Sequence, residues 1–502
     1  MLSGQKRVYV QTMGCQMNEH DTQRILAYLK TLDYTPTDRR DEADLVFLNT
    51  CTVRERSEQK VYSILGTFAE LKRRKPDLVI GVGGCVAQQE GKGLLDRVPH
   101  LDLVLGTDAI EKLPDLLGQL RPPDTRRPQP HPSAPAGWRA DGYPGPMGTR
   151  RQRLASTRFE PTYPAEPDVQ AYVDHLVPQA GQGVGRVKAF VTIQRGCDHF
   201  CAFCIVPFVR GRERSRPDGD IVQEVERLVA RGVKAVTLLG QNVNAYGRKR
   251  GYGETFVGLL ERLDQIPGLE RLRFTTSHPV DVSDELIGAF GRLKTLCEHL
   301  HLPVQSGSSR ILEAMRREYT VARYLDVVDR LRAVCPEIAL TTDVIVGFPG
   351  ETEADFEATL AVLERVGYAD AFVFAYSPRP RTAAARMPDR IPEPVKEVRL
   401  ARALDVQRRL ADAFRARQVG RALEVLVEGR AKKGSDLTGR TRTNLIVNVP
   451  GEAALIGRTA VVQITEALPH SLRGRLAEGA DRRPRAPAAS VEEGGVPSCS
   501  VS

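Results

Sequence analysis

The stretch GCDHFCAFC at residues 196–204 constrains this chain more than any other. It sets Cys197, Cys201 and Cys204 in C-x3-C-x2-C spacing directly after a strand-like run, Val187 to Ile193. Three thiolates this close on one loop can hold three corners of a cubane iron–sulfur cluster and leave the fourth iron open to a small molecule. A structural zinc site completed by His199 or a distant residue uses the same side chains, and buried free thiols are a third reading. Spacing alone leaves all three open.

The wider sequence narrows the setting. The opening MLSGQKRVYVQTMGC has no apolar leader and no run of 18 apolar residues occurs, so the expectation is a soluble, cytoplasmic chain without a membrane partner. Thiols stay reduced in that compartment, and nine cysteines in 502 residues are better suited to metal or cluster ligation than to a disulfide framework. That length allows two to four domains. A net charge of +9 and a pI near 9.1 favour a polyanionic partner, although a basic enzyme without one has the same totals.

Residues 5–120 alternate strand and helix: 7–12, 45–50, 78–83 and about 102–106 are apolar strands, each followed by a helical stretch. That order predicts a parallel sheet covered by helices. Cys15, Cys51 and Cys85 each fall one to three residues past a strand end, on the edge where open α/β sheets bind ligands. Three in successive units suggest a second three-cysteine cluster site; a lone cysteine there would mean little. Residues 121–183 read as a proline-rich linker, with eleven prolines between Arg121 and Asp168. Its arginines (126, 127, 150, 151 and 153) read first as solvated charge.

From 184 to 414 six strand–helix units follow, too few for a closed eight-stranded barrel and enough for a partial (β/α)6 one, whose active residues belong on the loops after the strands. Those loops carry Gln241, Asn242, Ser277, Gln305 and Glu351, and the cysteine loop occupies the same rim. His278-Pro279 reads as a loop cap, and the GFPG at 347–350 as a turn permitting close approach. A helix over about 394–417 leads to short apolar runs broken by Gly, Pro, Asn and Asp, a small β-barrel over 415–478. Residues 479–502 have the composition of a disordered tail. Cys297 and Cys335 lie in apolar segments as packing residues, and Cys499 lies in the tail.

Taken together these residues resemble the radical S-adenosylmethionine enzymes. TMGCQMNEHD, NTCTVRERSEQKV and GVGGCVAQQEG resemble the amino-terminal domain of the methylthiotransferases. IQRGCDHFCAFCIVPFVRGRERSR, LLGQNVNAYG, TTSHPVD, LHLPVQSGSSRIL and TDVIVGFPGETEADFE resemble the tRNA-modifying branch, which makes 2-methylthio-N6-isopentenyladenosine. The resemblance covers residues 5–118 and 186–477. It implies a multidomain α/β chain: a parallel-sheet amino-terminal domain, a partial TIM-like radical barrel and a carboxy-terminal TRAM barrel that binds RNA. It also implies two [4Fe-4S] clusters, a radical one on Cys197, Cys201 and Cys204 and an auxiliary, sulfur-supplying one on Cys15, Cys51 and Cys85. Two S-adenosylmethionine molecules would be used per turnover, one as methyl donor and one as radical source. Cofactor contacts are implied at Gln241, Asn242, Ser277, Gln305 and Val346.

The implied substrate is C2 of the isopentenyladenosine at position 37 of a tRNA anticodon stem-loop. The implied partners are an electron donor of flavodoxin or ferredoxin type and a donor of sulfur or clusters, serving a monomer. Residues 414–478 hold eleven Lys/Arg against six Asp/Glu, and Lys432, Lys433, Arg440 and Arg442 are the phosphate-contact candidates. The alternative is a sister methylthiotransferase acting on threonylcarbamoyl-adenosine in tRNA or on a ribosomal-protein aspartate. A zinc-bearing RNA-binding protein without activity is a third class.

Overall fold

The structure is a computed structural model that describes residues 6–52, 55–120, 153–160, 163, 187–248, 255–431 and 434–477. Lys432, Lys433, most of the 121–183 stretch and the tail lie outside the described residues.

The first domain is built on an all-parallel sheet in the order Tyr34–Pro36, Lys6–Thr12, Leu45–Thr50, Val79–Gly84, Leu103–Leu105, Leu154–Ser156. Every residue of Leu45–Thr50 is buried, as a parallel strand covered on both faces requires. Alternation divides its side chains. Val46 and Leu48 pack with Ile80, Val82, Val61, Leu65 and Phe68 on one face. Leu45 and Phe47 pack with Ile25, Leu29, Leu103 and Leu113 on the other.

Two edge strands depart from the sequence reading. Tyr34–Pro36 was not expected, and Leu154–Ser156 falls inside the stretch read as linker, where it pairs in parallel with Leu103–Leu105. The linker reading therefore fails at these residues. Each of the two strands is three residues long and only partly covered, too short to show a periodicity.

The second domain has the six expected parallel strands. Lys188–Thr192, Ala235–Leu239 and Arg271–Phe274 form one group; His299–His301, Ala339–Val346 and Asp370–Ala375 form the other. A parallel bridge between Leu272 and Leu296 joins them, giving an open, partial barrel around one large apolar core. Five of its helices begin at hydroxyl caps: Thr255, Ser283, Ser308, Thr320 and Thr352 each accept a backbone N–H from the first turn. Such a cap contributes about 1 kcal/mol and fixes where the helix starts. Gly347 of the GFPG turn has φ +72°, and a Cβ there would lie 2.2 Å from Lys396 Cγ; the turn does permit close approach.

The helix Glu393–Ala416 leads into a closed five-stranded barrel, ordered Ala422–Arg430, Leu437–Thr441, Ile446–Val449, Ser471–Leu476, Thr459–Leu468. Among the described residues no helix is long and apolar enough to cross a membrane.

The small barrel is bound to the large one by arginines. Buried Arg271 donates to the carbonyls of Arg440 and Glu424, and Arg273 donates to that of Thr441 at 2.7 Å. Arg442 reaches back to Glu298 through two nitrogens at 2.8–3.0 Å and to the Leu296 carbonyl at 2.6 Å. Arg440 donates to Asn444 and faces Glu428 at 3.6 Å. Arg440 and Arg442, expected at phosphates, have side chains 30% and 24% exposed, and their charge is engaged by carboxylates at and beside the seam.

Arg442→Ala is expected to weaken barrel docking by about 1–2 kcal/mol, the range for a partly exposed charge-assisted pair. Native-state proteolysis would read this as a larger open fraction, with Glu298→Ala adding little to the Arg442 variant.

Candidate active site

The cysteine loop leaves the first barrel strand through Gln194–Arg195, which pairs antiparallel with Arg214–Ser215. Gly196 is obligatory there. Its φ is +77°, and a Cβ would lie 2.0 Å from the Arg212 carbonyl oxygen. The loop is then tied on every side. Gly196 N–H donates to Gln241 Oε1 at 2.5 Å, Cys197 N–H to the Gly211 carbonyl at 3.3 Å, and Ala202 N–H to that of Met315 at 2.8 Å.

Arg317 completes the cradle. It is buried, donates from Nη1 to Cys201 Sγ at 3.4 Å, and is anchored by the Pro303 carbonyl at 3.1 Å. Arg316 and Glu318 beside it both have φ +58°, a costly backbone conformation of the kind that collects at functional sites. Burial and the neighbouring thiolates push Cys197 up to about 11 and Cys204 up to about 12.

Cys15, Cys51 and Cys85 lie together at the carboxyl edge of the first sheet, as expected. Cys15 precedes the helix Gln16–Lys30, Cys51 follows its strand directly, and Cys85 opens the helix Cys85–Glu90. Gly14, with φ +107°, lets the chain pass: a Cβ there would sit 2.2 Å from Cys51 Cβ. A hydrogen bond from Cys51, with Arg210 nearby, lowers Cys15 to about 6, whereas burial raises Cys85.

The two trios face one seam. Cys85 packs against Ile205 and Val209, which follow Cys204 in the chain. Thr107 donates its hydroxyl to the Val209 carbonyl at 2.7 Å. Arg210 crosses the seam to Asp21 and Asn18, each at 2.9 Å. All six cysteines are free thiols.

Both trios suit clusters better than a single ion. Thiolates on one zinc lie within about 4.6 Å of each other, twice the Zn–S distance. Among the described residues, one group of three ligand atoms closes to within 4.8 Å, and it is His199, His278 and Asp281, without a cysteine. Thiolates serving separate irons stand farther apart, and Arg317 and Arg210 supply the cations that a set of thiolates needs. The histidine group is tied into a hydrogen-bond network: Asp281 accepts from His199 and Asn242 at 2.6 Å each, and from Arg248. His278 caps its turn through Nδ1, as expected, and its ring stacks on His199 at 3.8 Å. Burial and Arg317 hold it down to about 2, so it stays neutral.

The cofactor-contact candidates all stand on the rim. Gln241 and Asn242 adjoin the cysteine loop, their N–H groups held by Gln194 Oε1 at 3.0 and 3.1 Å. Ser277 is buried, with no hydrogen-bond partner at Oγ. Gln305 has φ +69° and pairs through its backbone with Asp343 and Ile345. Val346 is fully buried and its side chain belongs to the core; its carbonyl accepts from Tyr376 N–H at 2.8 Å. Sequence reasoning missed Gln194, Asp281 and Arg317. Gln194 adjoins the cysteine run and was open to suspicion; no spacing connects Arg317 to Cys201.

The chain is similar to known proteins along most of its length. Residues 7–106 match the family described as uncharacterized protein family UPF0004, residues 191–363 the radical SAM superfamily, and residues 416–477 the TRAM domain. The fold and site thus define a radical S-adenosylmethionine enzyme with an appended TRAM barrel. The tRNA-2-methylthio-N(6)-dimethylallyladenosine synthase of Geobacter metallireducens is 48% identical over 95% of this chain and 99% of its own length. The protein of that name from Geotalea uraniireducens is 45% identical over 95% and 100%. The chain belongs to the tRNA-2-methylthio-N(6)-dimethylallyladenosine synthase family. A radical S-adenosylmethionine methyltransferase from Kitasatospora setae, solved with cobalamin and a [4Fe-4S] cluster, shares the fold at TM-score 0.50 and 15% identity, over 76% of this chain and 77% of its own.

In iron-free protein, Cys15 is expected to alkylate with a half-maximal rate near pH 6, because the thiolate is the nucleophile. Cys197 and Cys204 should stay slow below about pH 10; peptide mapping after timed iodoacetamide treatment checks this. Arg317→Met should leave iron bound but shift the radical cluster's midpoint potential downward in an EPR-monitored titration, since N–H···S bonds favour the reduced state.

Proposed function

We propose that this enzyme replaces the C2 hydrogen of N6-(dimethylallyl)adenosine at tRNA position 37 with a methylthio group. The observation that carries the reading is Cys85 of the first trio packed against Ile205 and Val209, which follow the second trio, in a chain related over nearly its full length to enzymes named for that product.

Cys197, Cys201 and Cys204 would hold the radical cluster, and Cys15, Cys51 and Cys85 the auxiliary one. S-adenosylmethionine at the first supplies a radical able to take hydrogen from an unactivated aromatic carbon, and the second supplies sulfur. The protein's own task is placement. Gln194 and Gln241 fix the cysteine loop against the next strand's loop, and Arg317 steadies Cys201. The buried, unpartnered hydroxyl of Ser277 is free to meet a polar atom of the cofactor, with Asn242 and Gln305 beside it on the rim. Val346 would contribute through its backbone.

The TRAM barrel binds the RNA. Lys432 and Lys433 remain the phosphate candidates there, and Arg430 and Arg475 of the same barrel are exposed. A small flavodoxin- or ferredoxin-type donor would supply electrons, and a sulfur donor would rebuild what each turnover consumes. The enzyme would work in the cytoplasm as a monomer.

Anaerobically purified protein should carry about eight irons, and Cys15→Ala about four. That variant should still cleave S-adenosylmethionine reductively while making no methylthio product. Nucleoside mass spectrometry of tRNA from a deletion strain should show isopentenyladenosine without its 2-methylthio mark. Retention of the mark, or its loss from threonylcarbamoyl-adenosine instead, would refute the assignment.

A further inference from the structure

Phe200 lies between two of the cluster-loop cysteines, yet it is 36% exposed and takes φ +48°. An aromatic side chain in the left-handed region is an outlier that the surroundings must enforce. Arg212 covers it: the guanidinium carbon stands 5.0 Å from the ring centroid. That side chain is itself 67% exposed, and Nε is held by Asp198 Oδ1 at 2.6 Å.

The backbone of this segment is strapped along the cysteine loop. Gly196 passes against the Arg212 carbonyl, Cys197 N–H donates to the Gly211 carbonyl at 3.3 Å, and Glu213 N–H donates to Asp198 Oδ1 at 3.3 Å. A guanidinium thus stands over an aromatic ring, is held at Nε by a carboxylate, and is exposed to solvent beside the loop that would hold the radical cluster.

We infer that Arg212, backed by Phe200, is a stacking platform for an unpaired RNA base next to the target adenosine. The inference rests on the function proposed above and adds how the substrate is held. Single-stranded RNA is recognised by stacking its splayed bases on aromatic rings and guanidinium planes, and a guanidinium between a ring and a base gains cation–π attraction on one side and stacking on the other. The target carbon must come to the cofactor at this rim, so the nucleotides either side of it must pass over the loop. A phosphate needs charge alone, and Asp198 partly cancels the charge of Arg212; what survives that pairing is the oriented plane.

The test uses loaded enzyme and an anticodon stem-loop carrying isopentenyladenosine, with 2-aminopurine placed on one side of it or the other. Wild-type enzyme should quench 2-aminopurine emission at one of the two positions. R212A should lose the quench and raise KM for the stem-loop roughly 5- to 100-fold, the range for one stacked base. Iron content and reductive cleavage of S-adenosylmethionine without RNA should be unchanged. R212K, which keeps the charge and loses the plane, should behave like R212A.

Wild-type quench and KM in R212A, or full rescue by R212K, would overturn the platform. Should R212A lose iron, R212Q, whose planar amide can still donate to Asp198, carries the same comparison. A wild-type enzyme that shows the Arg212-dependent quench but makes no methylthio product overturns the proposed reaction and leaves the platform standing. One that makes product without such a quench overturns the platform alone.

Discussion

One buried carboxylate holds the two catalytic halves together. Asp21, on the first helix of the amino-terminal domain, faces Arg210 at 2.9 Å and Arg195 at 3.7 Å from the radical barrel, and Arg24 at 4.0 Å from its own helix. Burial opposes its ionisation, but the surrounding guanidinium groups hold it below the ordinary carboxylate range. Three cations around one anion leave surplus positive charge inside the protein, and desolvated charge is tolerated only when answered. Cys15, lowered to about 6 beside Arg210, answers part of it. Domain docking and the anionic character of the auxiliary site are therefore one electrostatic problem with one solution.

That dependence explains why the cysteine trios converge although they belong to separately folded sheets. Each lies on the carboxyl edge of its own parallel strands, where side chains are free of the ladder and point outward. Docking through Asp21, His20 and Thr107 brings two ordinary ligand-binding edges to one seam. The small barrel is attached elsewhere, through Arg271, Arg273 and Arg442, on strands of the radical barrel away from the cysteine loop.

Much of this was legible in the sequence because it is local. Cys197, Cys201 and Cys204 share one loop, and Cys15, Cys51 and Cys85 announce themselves by their distance from apolar strand ends. Strand–helix alternation gave both parallel sheets. What was not legible is what depends on contacts between distant segments. Nothing near Arg442 signals its pairing with Glu298, since a basic stretch has the same composition on an open face and in a seam. Arg317 meets Cys201 only because two left-handed residues turn the chain there. Leu154–Ser156 is too short to stand out from the prolines around it.

Between Cys204 and Glu224 the chain distributes four arginines at alternate positions to four different carboxylates. Arg210 goes to Asp21, Arg212 to Asp198, Arg214 to Asp108 at 2.6 Å, and Arg216 to Glu224. The segment works as a ruler: covalent bond lengths, more than the strength of docking, set the separation of the two sulfur-bearing sites. Tolerance to changes of length is accordingly uneven along this chain. Between Leu120 and Leu154 the sheet needs only that its strands be connected, and loop-closure cost grows slowly with added residues. Between Cys204 and Arg210 a single inserted residue would displace every later arginine along the chain and disturb the pairings with Asp21, Asp198 and Asp108 together.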